Sequence, residues 1–247
     1  MTLPDDAARR ARTAGLGDYF ALRRPGADGG EALDVLLRDD ATVRDFVART
    51  RSAMARSVGC DIDRIPPRVA ASSFQLNVVA RLISPAVGAA AVFGELPVLT
   101  GESVRWQATE SHSPQFAAGH LSWLSVDSSH RAAELMSTSI LATIVAPLND
   151  ALATTHSLST RVSWGNAISA ANGAVTVLAM SRPDREAAGR SLVRALLKTG
   201  PLAGSADFRG GQFVRRSCCL FYQAPRSGLC GDCVLAVSDG SHPPAIG

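Results

Sequence analysis

Apolar side chains recur every three or four residues along much of this chain, which is the spacing of one face of an α-helix. Val43, Val47, Met54 and Val58 form such a stripe behind Thr42 and Asp45, which have capping-box spacing, and Gly59 can end it, so a helix is predicted over 42–58. Pro67 suits a first helical turn, and Phe74, Val78 and Leu82 carry a second helix over 67–83 until Pro85 interrupts it. Met136, Ile140, Ile144, Leu148 and Leu152 fall at intervals of four, with a kink expected at Pro147. Trp164, Ile168, Ala171, Val175 and Leu178 share one face of a further helix. Ser181 and Asp184 are spaced as a capping box for a last helix, which buries Leu192, Val193, Leu196 and Leu197 before Gly200 and Pro201 stop it.

Between Val104 and Val126 the period changes to two. Val104, Trp106 and Ala108 alternate with Arg105 and Gln107, and Leu121 and Trp123 flank Ser122, which predicts two short strands paired across the loop that holds His112 and Pro114. From Gly204 onward the periodicity disappears into Gly, Ser, Arg and Cys, with one short strand possible over Phe213 to Arg216. The expected fold is therefore mainly α with a small antiparallel β-sheet (α+β). Residues 1–203 form its helical body, and 204–247 form a cysteine-rich C-terminal segment packed on that body.

Composition narrows the function classes. With 46% apolar residues among 247, the chain can bury a real core. A formal charge of +3 with scattered arginines, and Lys198 as the only lysine, gives no basic face for nucleic acid. The first thirteen residues mix Asp5 and Asp6 with Arg9, Arg10 and Arg12 and show no secretory signal, so a cytoplasmic location is expected. The apolar stretches around Pro85 to Phe93 and Ala167 to Met180 fall short of the ~20 residues a spanning helix needs, so no integral membrane segment is expected. Neither a Walker-type loop nor a Rossmann fingerprint occurs, so electrons for any redox reaction have to come from outside the chain.

The chemistry points to the cysteines. Cys218 and Cys219 are adjacent, ten residues follow, and Cys230-Gly231-Asp232-Cys233 closes the group. Four thiolates so close repel one another unless a metal or cluster shares their charge. A two-residue spacer brings Cys230 and Cys233 to one metal, in zinc and iron-sulfur sites alike. The adjacent pair discriminates better, because neighbouring side chains diverge and cannot easily chelate one tetrahedral ion, whereas a two-iron cluster is a wider object. A [2Fe-2S] cluster is therefore favoured over a structural zinc, a thioredoxin-like dithiol or merely buried thiols. Cys60, alone between two predicted helices, is expected to be a bystander. A Rieske-type site is excluded because no Cys-x-His occurs.

The stretch Arg215-Arg216-Ser217-Cys218-Cys219-Leu220-Phe221-Tyr222, with Gly228-Leu229-Cys230-Gly231-Asp232-Cys233, resembles the C-terminal motif of the FhuF-like ferric-siderophore reductases. Weaker similarity runs through Arg68-Val69-Ala70-Ala71-Ser72, Arg81-Leu82-Ile83-Ser84-Pro85, Trp164-Gly165-Asn166 and Pro201-Leu202-Ala203-Gly204. The resemblance implies that Cys218, Cys219, Cys230 and Cys233 ligate a [2Fe-2S] cluster. It also implies an oxidoreductase that takes electrons from a ferredoxin or similar donor, passes them singly to siderophore-bound Fe(III) and releases Fe(II), with no catalytic residue beyond the cluster. Arg215, Arg216 and Arg226 flank the motif and are expected either to offset the thiolate charge or to dock an anionic siderophore or acidic donor. Trp106, Trp123 and Trp164 are expected to pack, and His112, His120, His130, His156 and His242 share no ligand spacing. A zinc-stabilised binding or scaffold domain and an iron-sulfur redox sensor are the alternative functions.

Overall fold

A computed structural model describes residues 5–26, 29–107, 109 and 114–238 of the chain. In order, its elements are α1 (Asp6–Ala14), β1 (Glu31–Ala32), α2 (Leu33–Arg38), α3 (Asp40–Val58), α4 (Pro67–Phe93), β2 (Glu95–Pro97), β3 (Val104–Gln107), β4 (Gln115–Ala118), β5 (Trp123–Ser125), α5 (Ser129–Met136), α6 (Ala146–His156), α7 (Thr160–Ser181), α8 (Glu186–Leu196), β6 (Ala206–Arg209), β7 (Gln212–Arg215) and α9 (Val234–Ser238). The architecture is mainly α with small antiparallel sheets, and its cysteines gather near the C-terminus, as expected.

Helix α4 is central because it is apolar on every side: Val69, Phe74, Val78, Ile83 and Val87 point in different directions and are all buried. Its largest contact is with α7, whose Ile168, Ala171, Val175 and Leu178 are fully buried, and α3 covers another flank. Phe46 of α3 stacks on Phe74 at 5.8 Å and meets the edge of Trp106, which joins the helices to the sheet.

Four local expectations need correction. Pro85 does not end α4, which continues for another eight residues to Phe93. A proline inside a helix costs about 3 kcal/mol, but Ala86, Val87 and Ala89 beyond it are buried, and their burial offsets that loss. The helix through Pro147 changes its winding instead of simply kinking, with π-type turns over Ser137–Val145. Residues four apart drift by ~40° on an α-helix, and the wider turn takes back this drift, so Met136, Ile140, Ile144, Leu148 and Leu152 all stay in the core. Strand β3 pairs with β4, placing Trp106 opposite Phe116, while Trp123 lies in β5 opposite Pro97 of β2. The predicted pairing of 104–108 with 121–123 is therefore replaced by two separate pairings. Ala108, His112 and His242 lie outside the described residues. Finally, Ser181 is the last residue of α7 and donates back to Leu178 O, so it caps no following helix.

The helix predicted over 42–58 begins at Asp40, where Asp39 accepts from Ala41 N–H, and ends at Gly59 in the left-handed region (φ 62°). Two helical stretches, Pro67–Phe93 and Ser129–His156, are long and apolar enough to cross a membrane, but more than half of each apolar window is buried inside the protein. After α8 the chain forms the hairpin β6–β7 around Gly210 and Gly211, both with positive φ, and β7 carries the chain into the cysteines.

Candidate metal centre

Strand β7 ends at Arg215, whose N–H donates to Asp232 O, so the start and end of the cysteine segment are tied together. Between these points the chain makes two tight reversals. Leu220 adopts φ 69°, which turns its N–H back onto Cys218 Sγ at 3.3 Å. The Cys233 N–H closes on Cys230 O at 3.0 Å. All four cysteines are free thiols. Cys219 and Cys233 are buried, whereas Cys218 and Cys230 are half-buried and define the outer edge of the group. Cys60 lies apart on the body, its thiol directed at Asp61 O.

The segment is hooked to the two central helices by a directed chain of buried hydrogen bonds. Arg215 Nη2 donates to Asn166 Oδ1 at 2.6 Å, Asn166 Nδ2 donates to Ser72 Oγ at 3.0 Å, and Ser72 Oγ donates to Cys219 O at 2.8 Å. Gly165 lets β7 and the cysteine loop approach α7 closely, since a Cβ there would lie 2.1 Å from Ser217 Oγ and 3.0 Å from Arg215 Nη2. Ser169 adds a hydrogen bond to the Asp232 carboxylate. In the sequence Ser72, Gly165 and Asn166 stand out only through the family resemblance. The structure gives them a physical role around the cysteines, and a serine, a glycine and an asparagine within apolar helical faces were the available signal.

The three flanking arginines separate. Arg215 is buried at 1% exposure and has no surface to offer a docking partner, so that part of the expectation is corrected. Arg216 is exposed but makes a two-pronged ion pair with Asp207, at 2.7 and 2.9 Å, which offsets its charge. Arg226 is exposed and donates to Val58 O at the C-terminus of α3, pinning the loop between the two cysteine pairs. Arg68, bonded to Gln223, and Arg161, bonded to Arg216 O, add two exposed guanidinium groups beside the segment.

Electrostatics make the four sulfurs one unit. Cys219 Sγ and Cys230 Sγ stand 3.6 Å apart, within hydrogen-bond reach. The hydrogen bond with Cys230 brings the Cys219 thiol down to about 6, helped by the Phe221 N–H and by Arg215, against the opposing effect of burial. The same contact, then burial and the charges of Cys219 and Cys233, pushes the Cys230 thiol up. Burial raises the Cys218 thiol, with Cys219 and Cys233 adding to the effect, although the Leu220 N–H and Arg215 pull it back. Burial also raises the Asp232 carboxyl in spite of its bond from Ser169.

This donor set fits a two-iron cluster. Sulfurs sharing one tetrahedral metal with bonds of about 2.3 Å stand roughly 3.8 Å apart, close to the Cys219–Cys230 separation. Among the described residues no three His, Cys, Asp or Glu side chains converge on a single-ion site. Outside the group, Phe221, Tyr222 and Leu229 are each about 40% exposed. A cleft of 250 Å³ opens between Met54, Val58, Ser73, Phe221 and Ala224. Trp106 and Trp164 pack into or against the body core, and Trp123 bonds Asp6.

Comparison with curated proteins finds no match to this chain. Residues 215–235 match the FhuF 2Fe-2S C-terminal domain, a span that holds all four clustered cysteines together with Arg215 and Asp232. This C-terminal segment is thus similar to that domain, which indicates a [2Fe-2S] cluster as its cofactor.

Proposed function

We propose that the chain is a cytoplasmic ferric-siderophore reductase in which Cys218, Cys219, Cys230 and Cys233 ligate the [2Fe-2S] cluster. In this reading residues 204–247 are the cluster-binding segment and 1–203 the supporting body. When bound, the cluster supplies one electron at a time. Chelated Fe(III) is a hard cation suited to oxygen donors, and one added electron gives Fe(II), which the same donors hold far less tightly. The donor is a ferredoxin or a similar one-electron carrier, since the sequence carries no nicotinamide or flavin fingerprint.

The supporting observation is the unequal burial of the sulfurs. Cys219 and Cys233 face inward, while Cys218 and Cys230 reach the surface beside Phe221, Tyr222 and Leu229. That edge brings a bulky chelate close to the cluster without a deep pocket. Arg68, Arg161 and Arg226 surround it with positive charge, which favours an anionic chelate or an acidic donor.

The test uses protein purified without oxygen. Two irons and two acid-labile sulfides per chain are expected, with a red-brown colour that bleaches on one-electron reduction. Mixing the reduced protein with a ferric hydroxamate chelate should restore the colour rapidly and release Fe(II) to a ferrous trap. Reoxidation no faster than in buffer leaves a redox sensor as the better reading, and a colourless zinc-loaded protein makes the chain a scaffold.

A further inference from the structure

Arg215 is the largest side chain that the fold buries completely, although it ends a strand that begins with the exposed Gln212. Among the described residues it makes no ion pair. Nη2 donates to two neutral oxygens, Asn166 Oδ1 and Val162 O, and Nε has no partner. Asp232 is near but bonds Ser169 instead. A buried guanidinium without a counter-charge is strongly unfavourable, so a fold that keeps one has a negative charge for it to face. The guanidinium stands at the head of the buried Asn166–Ser72 hydrogen-bond chain that ends on Cys219 O, so it lies against the cysteine loop. Four thiolates around two bridged irons leave the group net negative, and reduction adds one more unit of negative charge. The hydrogen bonds to Asn166 and Val162 hold the guanidinium in place without neutralising it.

We infer that Arg215 is the internal counter-ion of the cluster, positioned by Asn166 and Ser72, and that its charge raises the reduction potential by favouring the reduced form. This rests on the proposed ligation by the four cysteines. Arg215 is thus a positioning and tuning residue for electron transfer and not part of a docking surface. An electron delivered by the donor meets a site where its charge is already partly balanced.

The experiment compares Arg215→Lys and Arg215→Met with the wild-type holoprotein in an anaerobic redox titration followed by visible absorbance. Arg215→Met should lower the reduced-to-oxidised ratio at fixed ambient potential about tenfold, a shift of ~59 mV for one electron. Arg215→Lys keeps the charge and should stay near the wild type. A second variant covers failure of Arg215→Met to hold the cluster: Arg215→Gln keeps a donor toward Asn166 Oδ1 but no charge, and should show the same fall in the reduced-to-oxidised ratio. An unchanged potential in Arg215→Met or Arg215→Gln overturns the inference. Absence of a cluster from the wild type would instead remove the underlying ligation, and that shows before any variant is made.

Discussion

The pair α4–α7 and the cysteine segment lie against each other, yet different forces hold them. The helices meet through fully buried side chains such as Val78, Ile83, Ile168 and Val175, and their backbones satisfy themselves internally. The segment from 216 to 233 has no helix or strand of its own beyond the 3-10 turn Phe221–Gln223. It is held at points, by Ser72 to Cys219 O, Arg226 to Val58 O and Arg161 to Arg216 O. Burial of this kind is worth roughly 1.5–3 kcal/mol per large apolar side chain, against ~1 kcal/mol for a typical hydrogen bond. The body is therefore expected to stand on its own core, whereas the segment, on the proposed ligation, would depend on the cluster.

Removing a ligand probes this contrast most strongly. Cys219→Ser should abolish the visible absorbance, and amide exchange over 216–233 should rise by orders of magnitude while α4 and α7 stay protected. Hydrogen exchange read by mass spectrometry separates the two regions. Equal loss of protection in α4 breaks the comparison, because the body would then depend on the metal as well.

The next effect comes from the surface where the two regions touch. Gly165→Ala pushes a Cβ into Ser217 Oγ and against Arg215 Nη2. Overpacking of this kind costs about 1–3 kcal/mol, visible as a lower denaturant midpoint and a weaker hold on iron. Combining it with Ser217→Ala removes the nearest atom and should recover part of the loss. No recovery would move the clash to the Arg215 strand.

The same contrast explains what the sequence could reveal. The gathering of the four cysteines was legible because their spacing is local, and so were α3 and α7, whose apolar stripes reflect a face packed on the core. Pro85 was misleading because a local rule ends the helix there, while the burial that sustains it comes from distant elements. Pairing of Trp123 with Pro97, and not with the 104–107 strand, depends on where the chain returns in space. The hairpin β6–β7 was only half seen, although Gly210 and Gly211 carry the two-residue turn signal. Arg215 could be placed beside the cysteines from sequence, but its burial could not, because the asparagine that receives it lies 49 residues away.

A smaller change tests the hooks themselves. Ser72→Ala removes the donor to Cys219 O and one acceptor of Asn166 while leaving apolar burial almost intact. A buried group left without its partner costs about 1–2 kcal/mol here, and the loss should appear as faster iron release, with little change in the unfolding of α4.

The smallest effect is expected away from the cysteine segment, where Asp6 of α1 accepts from Trp123 Nε1 and Arg10 Nε, each at 2.9 Å. Burial alone would raise the Asp6 carboxyl, but the hydrogen bonds from Trp123 and Arg10 and the Arg10 charge together hold it below its ordinary 3.8. A carboxyl lowered on folding stabilises the native state above its unfolded value, and this contribution is lost as the pH falls through the lowered folded value. Asp6→Asn should therefore reduce Tm by about 2–4 °C at neutral pH, the shift that ~1 kcal/mol produces in a chain of this size. The gap from the wild type should narrow below pH 3.8 and close under the folded value. Cluster absorbance should not change at neutral pH in this variant. A loss of colour there would mean that α1 supports the cysteine segment through α4, and the two regions could no longer be treated as separately held.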